Sequence, residues 1–298
     1  QLAPELREIG LLTDAGWFDY DNDGDSDLVL AGEWMPLKIL QNRLMETGKA
    51  TFQPVTEMTG LAQTDGLWKS LQIADVNNDG LPDIIAGNHG LNSRLRASRE
   101  APLKFWVHDF DRNGSIEQIL TKSEENRDIP LVLLQDLKEQ MPRIDSRVSD
   151  FETYAEMDMK DLFTEEELSG SRVLTAGELG SALFINRKGA TFEKLKLPLE
   201  AQLYPVYASL SGNSMHTGES HLLTAGNLDA VKPLFGAYQS GFGSVLKFEE
   251  DLSPIPYRKS GFIVEGEVRA IHKVKSSDNL LFLVIRNNNT PVWFKQID

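Results

Sequence analysis

Apolar residues in this chain gather in short runs separated by polar, Gly-rich turns, and four of the runs end in the same pair. Leu28–Gly32, Ile84–Gly87, Val173–Gly177 and Leu222–Gly226 all close on Ala-Gly. Runs this short, bounded by Gly, Asp and Asn, predict buried strands. The Ala-Gly pairs lie 55, 90 and 49 residues apart, which suggests a repeated unit with an insertion in the long interval. Further apolar runs sort into groups around them. The first is Gly16–Asp19, Asp27–Gly32, Leu37–Asn42 and Thr51–Val55; the second is Ser70–Ala74, Asp83–Gly87 and Leu103–Val107. Val173–Gly177, Ala182–Asn186 and Thr191–Leu195 form a third, and Val206–Leu210, Leu222–Gly226 and Ser244–Phe248 a fourth. Val268–Val274, Leu280–Ile285 and Val292–Lys295 end the chain one strand short. Leu6–Leu12 is placed to complete that last group and remove its exposed edge. The alternative is that strands N-terminal to this sequence do so.

One interval changes period. From about Leu131 to Leu168, Leu134, Leu137, Met141, Ile144, Val148 and Phe151 follow steps of three and four, the pattern of an amphipathic helix. Pro142 must break or kink it. Thr164-Glu-Glu-Glu167 matches a capping box and predicts a second helix start.

The polar turns carry the candidate chemistry. Asp19-Tyr-Asp21-Asn-Asp23-Gly24-Asp25-Ser-Asp27 places side-chain oxygens at positions 1, 3, 5 and 9, with Gly at 6. Asp75-Val-Asn77-Asn-Asp79-Gly80-Leu81-Pro-Asp83 repeats the pattern. Asp109-Phe-Asp111-Arg-Asn113-Gly114-Ser115-Ile-Glu117 differs in having Asn at 5 and Glu at 9. Ca²⁺ takes six to eight oxygens at roughly 2.3–2.6 Å, so a loop serves it only by turning sharply. Gly at position 6 permits the positive φ of such a turn. Position 7 (Asp25, Leu81, Ser115) is expected to offer its backbone carbonyl. Two to three calcium sites are therefore expected.

An EF-hand begins the same way but closes with a Glu at position 12 and lies between helices. Position 12 here is Leu30, Ala86 or Leu120, and apolar strand-like runs follow the first two loops, so the EF-hand is rejected. The order strand, D-x-[DN]-x-[DN]-G-x-x-[DE], apolar strand ending in Ala-Gly resembles the FG-GAP (VCBS) repeat of integrin α-subunit-type β-propellers. The wider wording, Asp27-Leu-Val-Leu-Ala-Gly-Glu-Trp-Met-Pro36 and Gly87-Asn-His-Gly-Leu-Asn92, is similar to secreted proteins related to cartilage acidic protein. The likeness is strong over roughly residues 11–125 and weaker beyond. It implies an all-β chain: one β-propeller domain over 1–298, of about five to seven four-stranded blades, with a helical insertion near 131–168. Each blade would carry its calcium loop between its first two strands. The third loop fits poorly, because 109–117 falls where a later turn of the second blade belongs. In later blades the motif has decayed: Ser211–Ser220 and Ser276–Asn279 lack the ligand spacing, so those blades must hold together without calcium.

Composition narrows the setting. Of 298 residues, 45 are acidic and 30 basic, a net charge of −15, which argues against nucleic-acid or anionic-membrane partners. No apolar run approaches the ~18–20 residues that span a bilayer. Gln1-Leu-Ala-Pro-Glu5 lacks the features of a signal peptide and reads as cut from a longer precursor. Weak calcium modules function where the ion is near millimolar, so a secreted or cell-surface location is expected.

Outside the loops, the remaining candidates have plainer structural roles open to them. Trp17, Trp106 and Trp293 lie in strand patterns and are expected in the core; Trp34 and Trp68, at strand or loop ends, are candidates for ligand contact. His89 reads as part of a structural turn. Glu33 and Glu178 follow Ala-Gly and are candidates to face a central channel. No nucleophile elbow, P-loop or dinucleotide fingerprint occurs. The expected function is non-catalytic: an extracellular binding or scaffold module for a protein or a glycan. The alternative is a polysaccharide-acting enzyme using carboxylates in the channel.

Overall fold

The apolar runs pair into antiparallel sheets, and the chain is mostly β. The computed structural model describes residues 3–148, 150–187, 191–213, 220–248, 252–255, 257–276 and 279–295. The strands are β1 (Leu11–Phe18), β2 (Asp27–Met35), β3 (Lys38–Asn42), β4 (Phe52–Pro54), β5 (Gly66–Leu67), β6 (Ser70–Ala74) and β7 (Asp83–Gly87). Next come β8 (Leu103–His108), β9 (Glu117–Glu124), β10 (Arg127–Pro130), β11 (Arg172–Ala176), β12 (Ala182–Arg187) and β13 (Thr191–Lys196). The chain closes with β14 (Val206–Asn213), β15 (Ser220–Gly226), β16 (Ser244–Phe248), β17 (Leu252–Ile255), β18 (Val268–Ser276), β19 (Asn279–Arg286) and β20 (Val292–Lys295). They fold as two compact units, Gln1–Arg94 with Leu179–Asp298, and Leu95–Glu178.

In the first unit, four sheets follow one another. Their orders are β1-β2-β3-β4 with β5 on β2, then β6-β7-β12-β13, β14-β15-β16-β17, and β18-β19-β20. The first strands stand side by side in the order β1, β6, β14, β18. Ser70 Oγ donates to the Val206 carbonyl at 2.9 Å, and the Leu71 N–H donates to Asp14 Oδ2 at 2.7 Å, fastening β6 to β14 and to β1. Apolar layers fill the gaps between successive sheets. Val29, Ile39, Trp68, Ile84 and Phe184 lie between the first and second sheets, and Ile85, Leu183, Ile185, Leu222 and Leu246 between the second and third. Leu223, Ala225, Ile271 and Val284 do the same between the third and fourth. Ile84 and Ile85 therefore point to opposite faces of β7 and are both fully buried, which explains why that run is apolar without alternation.

The second sheet corrects the expected grouping. Leu103–Val107 does not follow Asp83–Gly87 in it; the third strand is β12, with Ala182, Leu183 and Phe184 opposite Ala86, Ile85 and Ile84. Nor does Val173–Gly177 belong with Ala182–Asn186, because β11 pairs with β8. The reason is burial. β12 supplies Phe184 to one apolar layer and Leu183 and Ile185 to the other, whereas β8 and β11 complete a sheet elsewhere. Leu6–Leu12 does not complete the last sheet either, since Leu11 and Leu12 start β1 opposite Glu33 and Gly32.

The second unit has its own sheet, β10-β9-β8-β11. The helical stretch expected at 131–168 belongs to it, as helices Leu134–Gln140, Phe151–Glu156, Met159–Leu162 and Glu165–Ser169. Pro142 ends the first and opens a 3-10 turn, and the Thr164–Glu167 capping box forms. Leu134, Leu137, Met141, Ile144 and Leu162 pack with Trp106, Phe110 and Ile119 into one core. Among the described residues, no helix is long and apolar enough to cross a membrane.

The tryptophans divide. Trp106 is buried as expected, but Trp17 is 62% and Trp293 55% exposed. Both lie on the outer face of an end sheet, where the neighbouring sheet is on the other side: Trp17 is opposite Leu28 and touches Phe52, and Trp293 is opposite Leu283. Trp68 is fully buried, with its indole N–H donating to the Thr64 carbonyl at 2.7 Å, so it is core and no ligand contact.

Two buried faces on β7 predict that Ile84→Ala and Ile85→Ala each destabilise the protein by about 2–5 kcal/mol. Denaturant unfolding of the two variants checks this. A loss in only one of them would mean that one face of the strand is wet.

Candidate metal centre

Each acidic nonapeptide joins the first two strands of a hairpin: 19–27 between β1 and β2, 75–83 between β6 and β7, 109–117 between β8 and β9. The irregular third loop thus has the same place as the others, in a sheet of its own. No helix flanks any loop, in keeping with the rejection of the EF-hand.

The three loops share one wiring. The N–H of position 2 donates to the carboxylate at position 9: Tyr20 to Asp27 at 3.0 Å, Val76 to Asp83 at 2.9 Å, Phe110 to Glu117 at 2.7 Å. The N–H groups of positions 5 and 6 both donate to the Asp at position 1. These bonds are 3.1 and 3.0 Å to Asp19, 3.1 and 2.9 Å to Asp75, and 2.9 and 2.9 Å to Asp109. Position 7 donates to position 5 at 3.0, 2.9 and 2.7 Å. Gly24, Gly80 and Gly114 have φ of 95°, 86° and 89°, and a Cβ there would meet nothing within 4 Å. Glycine is needed for its dihedral, not for room. Position 4 also enters the left-handed region, at Asn22, Asn78 and Arg112, a feature the spacing did not reveal.

Anchoring comes from position 2 and the third strand. Tyr20, Val76 and Phe110 are buried in three different cores, which pins the start of each loop. The position 9 carboxylates are the most enclosed: Asp27 and Asp83 are 0% and Glu117 2% exposed. In the first unit, each Asp gives its second oxygen to the N–H of an Asn on the next strand, Asn42 to Asp27 at 2.8 Å and Asn186 to Asp83 at 2.9 Å. The two Asn amides also donate to equivalent carbonyls, those of Ser26 and Pro82, at 3.3 Å. Asn186 donates besides to the Tyr20 carbonyl at 2.8 Å, tying the second sheet to the first loop. Sequence reasoning missed this pair. The signal was present as Leu40-Gln-Asn-Arg43 with Thr51-Phe52, and Phe184-Ile-Asn-Arg187 with Thr191-Phe192.

Three carboxylates converge in two of the loops. Ligand oxygens of Asp19, Asp21 and Asp27 lie within 4.8 Å of one another, as do those of Asp109, Asp111 and Glu117. Oxygens around one cation at a radius near 2.4 Å are at most about 4.8 Å apart, so both groups can hold a metal ion. Asp23 stands outside the first trio and groups with Asp25 and Glu46. Asn113 and Ser115 lie exposed at the turn of their loop. The 75–83 loop lacks a carboxylate trio of this kind among the described residues, since Asn77 holds position 3 and its amide donates to Asp79 Oδ2 at 2.9 Å. Leu81 is half-buried beside it.

Electrostatics favour a cation. Burial pushes Asp27 up to about 7 and Asp83 to about 6, despite two backbone donors on each, and it raises Glu117 as well. Tyr20 rises to about 12, through burial and then through Asp21 and Asp27. Asp21 Oδ1 and Asp23 Oδ2 are buried with no hydrogen-bond partner. Donor-less carboxylate oxygens aimed into an all-oxygen cluster fit a hard cation.

The other candidates are structural. His89 is buried against Tyr238, ring centroids 4.7 Å apart, and burial lowers it to about 4. Glu33 is ion-paired with Lys69, and Glu178 belongs to the other unit. The 214–219 and 277–278 parts of the decayed loops lie outside the described residues.

A raised folded value makes the ion-free state hold its proton more tightly than the unfolded chain. Stability present below 3.8 is then lost as pH climbs through about 7. In chelator, wild type should lose melting temperature relative to Asp27→Asn between those limits. Thermal melts of both proteins across the range check it, and a constant difference would contradict it.

Residues 19–86, which hold the first two loops, match the family of FG-GAP-like repeats. The third loop lies outside that match yet is wired the same way. No curated protein sequence matches the chain.

Proposed function

We propose that this chain is a calcium-stabilised, non-catalytic module of the β-propeller kind, presented outside the cytoplasm to bind or scaffold an extracellular protein or a glycan. The observation that carries the reading is the shared wiring of the three nonapeptides, in which backbone N–H groups hold the carboxylates of positions 1 and 9, together with the convergence of positions 1, 3 and 9 in the first and third loops. All-oxygen donors select a hard ion over zinc or copper. A loop offering many carboxylate, amide and carbonyl oxygens suits calcium, which takes six to eight, better than magnesium, which demands a near-ideal octahedron. Asp25, Leu81 and Ser115 would add their carbonyls. In the first unit, four sheets packed face to face with their first strands adjacent support blades around an axis. Their number and any closure of the ring are part of the proposal.

Calcium here would be structural. A site with a dissociation constant ~100-fold below the free ion adds roughly 2.7 kcal/mol. No chemical step is assigned to the chain, because the loop carboxylates are used by the metal and Glu33 is neutralised by Lys69. The extracytoplasmic setting follows from the near-millimolar calcium that such modules need.

Calorimetric titration of chelated protein should show calcium binding below millimolar concentration. Amide exchange on chelation should rise most in 16–32, 70–87 and 103–120, and less in 222–248 and 268–295, because blades touch mainly their neighbours. Absence of calcium heat overturns the reading, and a uniform rise overturns its division into calcium-dependent and calcium-free parts. A glycan and protein binding screen with and without chelator identifies the partner.

A further inference from the structure

The first loop has a feature the other two lack. Position 7 is Asp25, where they have Leu81 and Ser115. Asp25 is only 7% exposed. Its Oδ2 accepts the Met45 N–H at 3.0 Å, while its Oδ1 is buried with no partner. Its carboxylate converges with those of Asp23 and Glu46, the three ligand oxygens lying within 4.8 Å of one another. Asp23 also contributes a buried, partnerless oxygen, Oδ2; its Oδ1 accepts the Asp25 N–H at 3.0 Å. Glu46 comes from the short helix Leu44–Thr47 that follows β3, so the segment after the Asn42 anchor folds over the loop.

We propose that Asp23, Asp25 and Glu46 form a second cation site beside the first loop's own, with Asp23 shared between the two ions. The proposal rests on the reading of the loops as calcium sites. Charge supports it. The two trios bring together six carboxylates (Asp19, Asp21, Asp23, Asp25, Asp27 and Glu46), and one guanidinium, Arg43, pairs with Glu46 Oε1 at 2.9 Å. One divalent ion leaves this region three negative charges in excess; a second leaves one. Arg43 and the Gln41 amide, 3.3 Å from Glu46 Oε1, hold that one oxygen and orient the carboxylate. Gln41 donates also to Asp21 Oδ2 at 2.7 Å, so one side chain spans both oxygen clusters. A buried carboxylate oxygen with no donor is a cost that a neutral residue would avoid, and a bound ion removes it. The donors are all oxygen, so the ion is a hard one of the calcium class, its shell completed by water on the exposed Glu46 side.

Equilibrium dialysis of chelated protein against near-millimolar calcium tests the site. Glu46→Gln, an exposed and nearly isosteric change, should lose one bound calcium relative to wild type. Asp25→Asn should lose the same one, and the double variant no more than either single. Wild-type binding with no loss in Glu46→Gln overturns the second site and leaves the loop reading standing. Loss of two ions in the double variant also overturns it, by assigning Asp25 to the loop's own ion. No calcium bound to wild type removes the loop reading and the second site together. Circular dichroism of each variant in chelator separates lost binding from lost folding.

Discussion

Asp27 and Asp83 carry the constraint on which the first unit depends. Each is a carboxylate shut away from water and gripped by two backbone N–H groups, one from the start of its loop and one from the third strand of its sheet. Those contacts set the register of three strands at once. The turn, the strand spacing and the buried position 2 side chain must all be right for both oxygens to be satisfied. Two backbone hydrogen bonds still do not outweigh desolvation, since Asp27 and Asp83 remain well above the ordinary carboxylate range. The loop is a cage whose own charge opposes it. A hard cation reverses that sign, which is why the wiring and the proposed metal belong to one account.

The same constraint links sheets. Asn186 grips Asp83 and also donates to the Tyr20 carbonyl, so the first loop leans on the second sheet. Tyr20 and Phe184 lie in one apolar layer beneath it. The loop in the second unit uses local means instead: Phe110 packs on Phe163 at 4.2 Å, and the Arg143 guanidinium donates to the Asp111 carbonyl at 3.3 Å.

Much of this was legible because it is local. The place of the loops between strands, the positive φ of the position 6 glycines, the stop at Pro142 and the Thr164 cap each rest on neighbouring residues. What was not legible is non-local. β7 and β12 are partners across the whole Leu95–Glu178 unit, and a reading that pairs sequential strands chooses β8 instead. Trp17 and Trp293 have strand spacing, but whether a face is covered depends on which sheet is last in the stack. The Asn42 and Asn186 grip was written in the sequence as a repeated Asn-Arg followed by Thr-Phe. It becomes visible only once β12 is known to occupy the place of β3. By spacing alone the acidic nonapeptides are one kind of object, in which Asp25 contributes only its carbonyl; its buried carboxylate is what makes the first of them different.

We propose that the oxygens of these nonapeptides surround a metal ion. Anomalous diffraction from crystals grown with calcium, or soaked with a lanthanide in its place, tests it directly. Peaks enclosed by Asp19, Asp21 and Asp27, by Asp75, Asn77 and Asp83, and by Asp109, Asp111 and Glu117 are the result expected. Ordered loops in calcium with no anomalous density inside them would contradict it.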